Sequence, residues 1–250
     1  MWRPVSDCGS HCIPGGDAAT GRVTRVVRLV AAAGVLISSL VLVPLTRGAA
    51  LRPVARALLA ALGVELVWRG PAPRPGSLLV ANHVSFLDIL ALLAVTPVRL
   101  VAKSEVGTWP LVGAVAKAGG AIFLDRSRPR TLPLAVADVA ASLRAGRSVA
   151  VFPEGTTFCG AERGKFRPAV FQAAVDAGVP VVPISIRYAS PAAAFIGDDT
   201  LWSSIRRVVA LRGLTVTLVG SPALRPEPGA DRRVLARAAQ ASSGKFELAA

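Results

Sequence analysis

Between residues 77 and 241, short apolar runs alternate with segments of helical period. No other feature of the chain constrains its fold as strongly. Strand-like runs lie at residues 77–81, 98–102, 121–124, 148–152, 181–187 and 214–219. Helical patterns occupy residues 86–95, 109–118, 132–145, 168–177 and 231–241. Strands that alternate with crossover helices pair in parallel, so the pattern predicts an α/β fold: a single domain with a largely parallel central sheet flanked by helices. In an open sheet of this kind, ligands sit beyond the carboxyl ends of the strands. The polar residues that follow each apolar run are therefore the place to look for chemistry. A length of 250 residues suits one such domain plus an appendage.

The appendage is N-terminal. Residues 1–22 are rich in Gly, Pro, Ser and Asp and lack apolar periodicity, which predicts a flexible tail. Residues 29–46 then run for 18 positions without a charge. As a helix this stretch is about 27 Å long, enough to cross a hydrocarbon core. Arginines flank both ends, leaving orientation open, and spanning and re-entry are equally compatible. Leu51, Val54, Ala55, Leu58, Leu59 and Leu62 fall on one helical face with Arg52 and Arg56 off it. That helix either faces the core or lies in a membrane interface. The expected division is a tail at 1–22, membrane-associated helices at 23–64 and the main domain at 65–250.

Composition narrows the partners. A net charge of +14 suits nucleic acid or anionic lipid. Apolar residues make up 52% of the chain and mean hydropathy is +0.53, which favours lipid. Aromatics are only 5% and no basic run is interleaved with them, so no nucleic-acid surface is expected. Three cysteines, Cys8, Cys12 and Cys159, do not make a disulfide framework. Cys8, His11 and Cys12 crowd together but lack the paired, separated spacing of a structural zinc site, so no metal is expected there.

Four stretches stand out, three of them polar and at the end of an apolar run. The first, Asn82-His83-Val84-Ser85-Phe86-Leu87-Asp88, holds one of the two histidines. Five residues on a helix lie about 140° apart, so His83 and Asp88 meet only if the chain turns between them, with His83 in the loop and Asp88 in the first helical turn. Asp88 would then fix the imidazole tautomer and leave one ring nitrogen free as a base. A satisfied loop histidine and a carboxylate at a helix start explain the same residues. The second stretch, Phe123-Leu124-Asp125-Arg126, presents an arginine fork past a strand end. The third, Phe152-Pro153-Glu154-Gly155-Thr156-Thr157, stops a strand at proline and turns tightly at glycine. The fourth, Val182-Pro183-Ile184, puts proline inside a strand, at an edge or a bulge.

With these four in order, the chain resembles the PlsC-type glycerolipid acyltransferase family over about residues 65–220. The resemblance implies an acyltransferase domain and an O-acyl transfer. A fatty acyl group passes from acyl-CoA or acyl carrier protein to a lysophospholipid hydroxyl, with 1-acyl-glycerol-3-phosphate the leading acceptor. It implies that His83 is the general base, that Asp88 orients it, and that the hydroxyl attacks the thioester directly, with no cofactor and no metal. By the same correspondence Arg126 contacts the acceptor phosphate, and Glu154, Gly155 and Thr156 shape the acceptor site. Lys103, just past a strand end, is a further cation for that site or a solvated lysine. The resemblance places the protein at the cell membrane, on anionic lipid, with its active site on the cytoplasmic side. Two departures bear on the acceptor. Thr157 stands where the family commonly has arginine, and Phe166-Arg167-Pro168-Ala169 stands for Phe-Lys-x-Gly. Lyso-ornithine lipid and glycerol-3-phosphate are therefore alternative acceptors, and a non-catalytic lipid binder is the alternative of another class.

Overall fold

The computed structural model describes residues 5–13, 15–125 and 128–244. Seven strands form one sheet in the order β1-β7-β6-β2-β5-β3-β4. They are β1 (Val64–Arg69), β2 (Leu78–Ala81), β3 (Arg99–Lys103), β4 (Ile122–Leu124), β5 (Val149–Val151), β6 (Val181–Tyr188) and β7 (Leu214–Gly220). The helices are α1 (Arg22–Leu45), α2 (Leu51–Leu62), α3 (Leu87–Val95), α4 (Val112–Ala118), α5 (Leu132–Arg144), α6 (Phe171–Ala177), α7 (Leu201–Ala210) and α8 (Arg232–Gly244). Pairing is parallel except between β6 and β7. Thus β6, β2, β5, β3 and β4 share one direction, and their carboxyl ends line one edge.

The two-residue period of β2 explains the layers. Leu79 and Ala81 face a core shared with Leu59 of α2, Leu87 of α3 and Val208 of α7. Leu78 and Val80 face the opposite core, with Leu143 of α5, Phe171 of α6 and Leu235 of α8. Both faces of β2 are covered, which is why it reads as an unbroken apolar run.

Two elements escaped the periodicity. β1 carries Glu65 and Arg69 and pairs only with β7, so it reads as polar linker. α7 is announced by its cap, where Thr200 and Ser203 each accept the other's backbone N–H, more than by its apolar content. Pro183 sits in an interior strand, tolerated at a bulge. The facing chain has one residue more between Gly220 and Leu224 than β6 has between Ile184 and Val181.

The N-terminal third differs from expectation in two ways. The described part of residues 1–22 is largely exposed but is tied to the domain by hydrogen bonds rather than free. Thr20 N–H donates to Ala210 O (2.8 Å), Arg212 N–H to Ala18 O (2.9 Å), and the Ser190 hydroxyl to Asp17 (2.7 Å). A segment without periodicity is still held when its backbone finds partners and Cys8 finds a buried site. The apolar face of α2 also belongs to the main core. Val54, Ala55, Leu59 and Leu62 are buried, while Arg52 and Arg56 donate to Ala94 O. Each of those leucines contributes about 1.5–3 kcal/mol of apolar burial, so a lipid-facing α2 would forfeit that core.

α1 is long and apolar enough to cross a membrane by length and composition. One of its sides is docked: Arg28 donates to Val209 O (3.0 Å) and Leu211 O (2.7 Å), and Ser39 and Val43 are buried. The other side is bare, with Val26, Val30, Ile37 and Val41 each more than half exposed.

Candidate active site

β2 ends at Ala81, and the chain then turns through His83 before α3 begins. Asn82 makes the turn rigid. Its Nδ2 donates to Ile186 O (3.0 Å) and its Oδ1 accepts from Ile186 N–H (2.7 Å), tying the end of β2 to β6. The His83 N–H donates to Glu154 Oε2 (2.7 Å), and its carbonyl accepts from Phe158 N–H (2.8 Å). The backbone of His83 is therefore held from the loop that follows β5.

Asp88 lies in the first turn of α3 and is fully buried. Its Oδ2 meets His83 Nδ1 at 2.8 Å and accepts from Val84 N–H (2.6 Å) and Ser85 N–H (3.0 Å). Its Oδ1 accepts from the Tyr188 hydroxyl at 2.5 Å. An oxygen already receiving two amide hydrogens is an acceptor, so Nδ1 carries the hydrogen and Nε2 is left with its lone pair. The imidazole is stacked on Phe152, with ring centroids 4.0 Å apart and planes 12° apart. It keeps 19% side-chain exposure, enough to be reached. This arrangement is the turn-then-helix geometry that the five-residue spacing required.

Tyr188 was not legible as a site residue. It is the single tyrosine in the chain and ends β6, which was the one available signal. Burial first, then the adjacent Asp88 carboxylate, pushes its phenol well above the usual tyrosine value. It stays a neutral donor. Phe152, the ring under His83, was likewise known only as the residue before Pro153.

Glu154 is 3% exposed, and its other oxygen accepts from Gly164 N–H (3.1 Å). Burial raises its carboxyl to about 7, against the two amide donors and the charge of Arg163. Gly155 has φ +80°, the left-handed region that favours glycine, so the turn after Glu154 requires it. Thr156 follows it, half-buried. A cleft of about 470 Å³ opens beside Glu154, lined by Phe158, Lys165 and Arg167. Lys103 ends β3, two strands from β2 in the sheet order and on the same edge. Arg126 lies outside the described residues. The structure thus brings His83, Asp88 and Glu154 into one hydrogen-bonded unit, with Gly155 and Thr156 next to it and Lys103 further along the edge.

Comparison with known proteins gives the family. Residues 65–187 match the family model described as Acyltransferase. The chain is 36% identical over 184 residues to the 1-acyl-sn-glycerol-3-phosphate acyltransferase of Neisseria meningitidis, covering 69% of this chain and 71% of that one. The chain belongs to the acyltransferase family. It is also 39% identical over 189 residues to the lyso-ornithine lipid O-acyltransferase of Pseudomonas aeruginosa, covering 73% of this chain and 72% of the relative. The fold is that of the crystal structure of the 1-acyl-sn-glycerophosphate acyltransferase PlsC from Thermotoga maritima. The TM-score is 0.62 and the identity 21%, with 90% of this chain and 97% of that one covered. The acyltransferase match begins at β1 and ends in β6, so it spans the ends of β2, β3 and β5, where His83, Lys103 and Glu154 lie.

Proposed function

We propose that this acyltransferase moves a fatty acyl group from a thioester to a lysolipid hydroxyl, with His83 as general base. The observation that carries the reading is the His83–Asp88 pair: one imidazole nitrogen is committed to a buried carboxylate and the ring edge is left accessible. His83 Nε2 takes the proton of the acceptor hydroxyl as its oxygen attacks the thioester carbonyl carbon. Asp88 stabilises the imidazolium that results. The tetrahedral species expels the thiolate, which takes the proton back from His83. The products are the ester and a free thiol, and no acyl-enzyme is formed. Either acyl-CoA or acyl carrier protein supplies the thioester.

The leading acceptor is 1-acyl-glycerol-3-phosphate, giving phosphatidate. Lys165 and Arg167 beside Glu154 supply the positive charge that Thr157 does not. Arg126, Gly155, Thr156 and Lys103 complete the acceptor edge in this reading. Lyso-ornithine lipid is the second reading, favoured by the Pseudomonas relative and by Thr157 itself. The bare apolar side of α1 supports attachment to the membrane. Because the opposite side of α1 is docked on the domain, α1 lies along the lipid surface with the site on the cytoplasmic side, where acyl thioesters are found.

The test is purified protein with acyl-CoA and a panel of lysolipids, products resolved by mass. Wild type should acylate 1-acyl-glycerol-3-phosphate, and His83→Ala should lose activity by at least about 100-fold with membrane association intact. Full activity of that variant refutes the base assignment. Preference for lyso-ornithine lipid moves the acceptor to the second reading.

A further inference from the structure

The three cysteines converge although they come from opposite parts of the chain. Cys8 and Cys12 belong to the N-terminal segment and Cys159 to the loop after Glu154-Gly155-Thr156, yet their Sγ atoms all lie within 4.8 Å of one another. Cys8 and Cys159 are buried and Cys12 is half-buried. The Cys159 N–H donates to Cys8 Sγ (3.2 Å), and the Glu162 N–H donates to Cys159 Sγ (3.4 Å). A disulfide would join two of the sulfurs and strand the third beside them. Three converging sulfurs with amide support are the donor set of a soft metal.

The sequence spacing fits once the third ligand is known. Cys8-x3-Cys12 falls within the short-range spacing of zinc ligands, and Cys159 is the separated ligand that the N-terminal pair lacked. A 3₁₀ turn over Ser10–Cys12, closed by the Cys12 N–H on Gly9 O (2.9 Å), brings the near pair together. His11 is not among the side chains that close on the cluster.

The geometry points to a thiolate site, Cys8, Cys12 and Cys159, for one divalent thiophilic ion of the Zn(II) class. Tetrahedral Zn–S bonds of ~2.3 Å set sulfurs about 3.8 Å apart, so the observed spread closes with side-chain shifts of about an ångström. The ion itself drives deprotonation of the thiols as it binds. Three thiolates leave the fourth position to water. The consequence is a staple. The same cluster contains Val84, next to His83, and Phe158 next to Cys159 holds the His83 carbonyl. The ion therefore ties the N-terminal segment to the turn that presents the base, whatever acceptor that base serves.

Full-length protein, purified without chelator under reducing conditions, is loaded with Zn(II) and dialysed against metal-free buffer. Metal is then counted by mass spectrometry and thiols by titration of the denatured, unreduced chain. One zinc per chain and three titratable thiols are expected. Co(II) in place of zinc should give an intense thiolate-to-metal charge-transfer band. Cys12→Ser and Cys159→Ser should each lose that band, and chelation should speed proteolysis within residues 5–21. Wild-type zinc no higher than in Cys12→Ser overturns the site, as does a single titratable thiol, which marks a disulfide. The wild-type measurement decides alone if Cys159→Ser does not fold.

Discussion

Tyr188→Phe isolates a polar contact that the site motifs do not encode. The phenol donates to Asp88 Oδ1, while Oδ2 keeps its bonds to His83 and the amides of Val84 and Ser85. Phenylalanine fills the same volume, so the substitution opens no cavity and removes one hydrogen bond to a charged group. Such a bond is worth about 1.5–3 kcal/mol. If Tyr188 acts through Asp88, the loss falls on the imidazolium–carboxylate pair of the transition state. At about 1.4 kcal/mol per decade, kcat should drop by roughly 10- to 100-fold. KM should stay unchanged, because the hydroxyl is turned to Asp88 rather than to the cleft. Denaturant unfolding should show a stability loss of no more than the same 1.5–3 kcal/mol. The assay is steady-state acyl transfer from acyl-CoA to the preferred lysolipid, at saturating concentrations of each. Unchanged kcat with reduced stability would refute the reasoning and leave Tyr188 a structural residue. A raised KM with unchanged kcat would place it against the substrate instead.

Other perturbations separate the remaining elements. Asn82→Ala leaves the buried N–H and C=O of Ile186 unpaired and should cost about 2–5 kcal/mol, read by denaturant unfolding. Glu154 gives a pH dependence of definite sign. Its carboxyl is raised to about 7 in the folded state, so the native protein holds a proton that the unfolded chain has released. Stability should fall as pH rises from the ordinary carboxylate range to about 7 and level off above it, and Glu154→Gln should flatten that slope in pH-resolved thermal melts. Aspartate in place of Val26, Val30, Ile37 or Val41 should weaken co-sedimentation with anionic vesicles by about tenfold or more at each site, with the circular dichroism of the domain unchanged.

The sequence disclosed those parts of the fold in which the local pattern and the tertiary environment agree. β2 and β6 are buried on both faces and read as apolar runs, and the strand boundaries fell within a residue or two of those observed. β1 was invisible because an edge strand with one partner tolerates Glu65 and Arg69. The helical face of residues 51–62 was legible, but its destination was not. Periodicity states that a face is apolar without saying whether protein or lipid covers it, and Leu59 and Leu62 resolve that only by touching the core. The His83–Asp88 pair was legible for a different reason. The five-residue spacing of His83 and Asp88 has one geometry in which the two meet, a turn followed by a helix start, and that is how the chain runs.

What could not be read was everything that arrives from another strand or from the terminus. Tyr188 is 100 residues from Asp88, and Asn82 is 104 from its partner Ile186, distances over which no local rule operates. Cys8 is 151 residues from Cys159, so the spacing of Cys8, His11 and Cys12 carried no information about Cys159. These three contacts share a logic. The motif supplies the groups that act, and distant residues decide how rigidly those groups are held: Ile186 and Tyr188 from β6, and Cys8 from a segment that composition marked as free. In the proposed mechanism the acceptor hydroxyl must meet Nε2 within a few tenths of an ångström to lose its proton. The loop that follows β5, which holds the backbone of His83 through Glu154 and Phe158, should therefore control kcat as much as the base does in this reading. The zinc site makes that dependence chemical, since removing one ion would loosen the loop that holds the His83 carbonyl without touching the imidazole or its carboxylate.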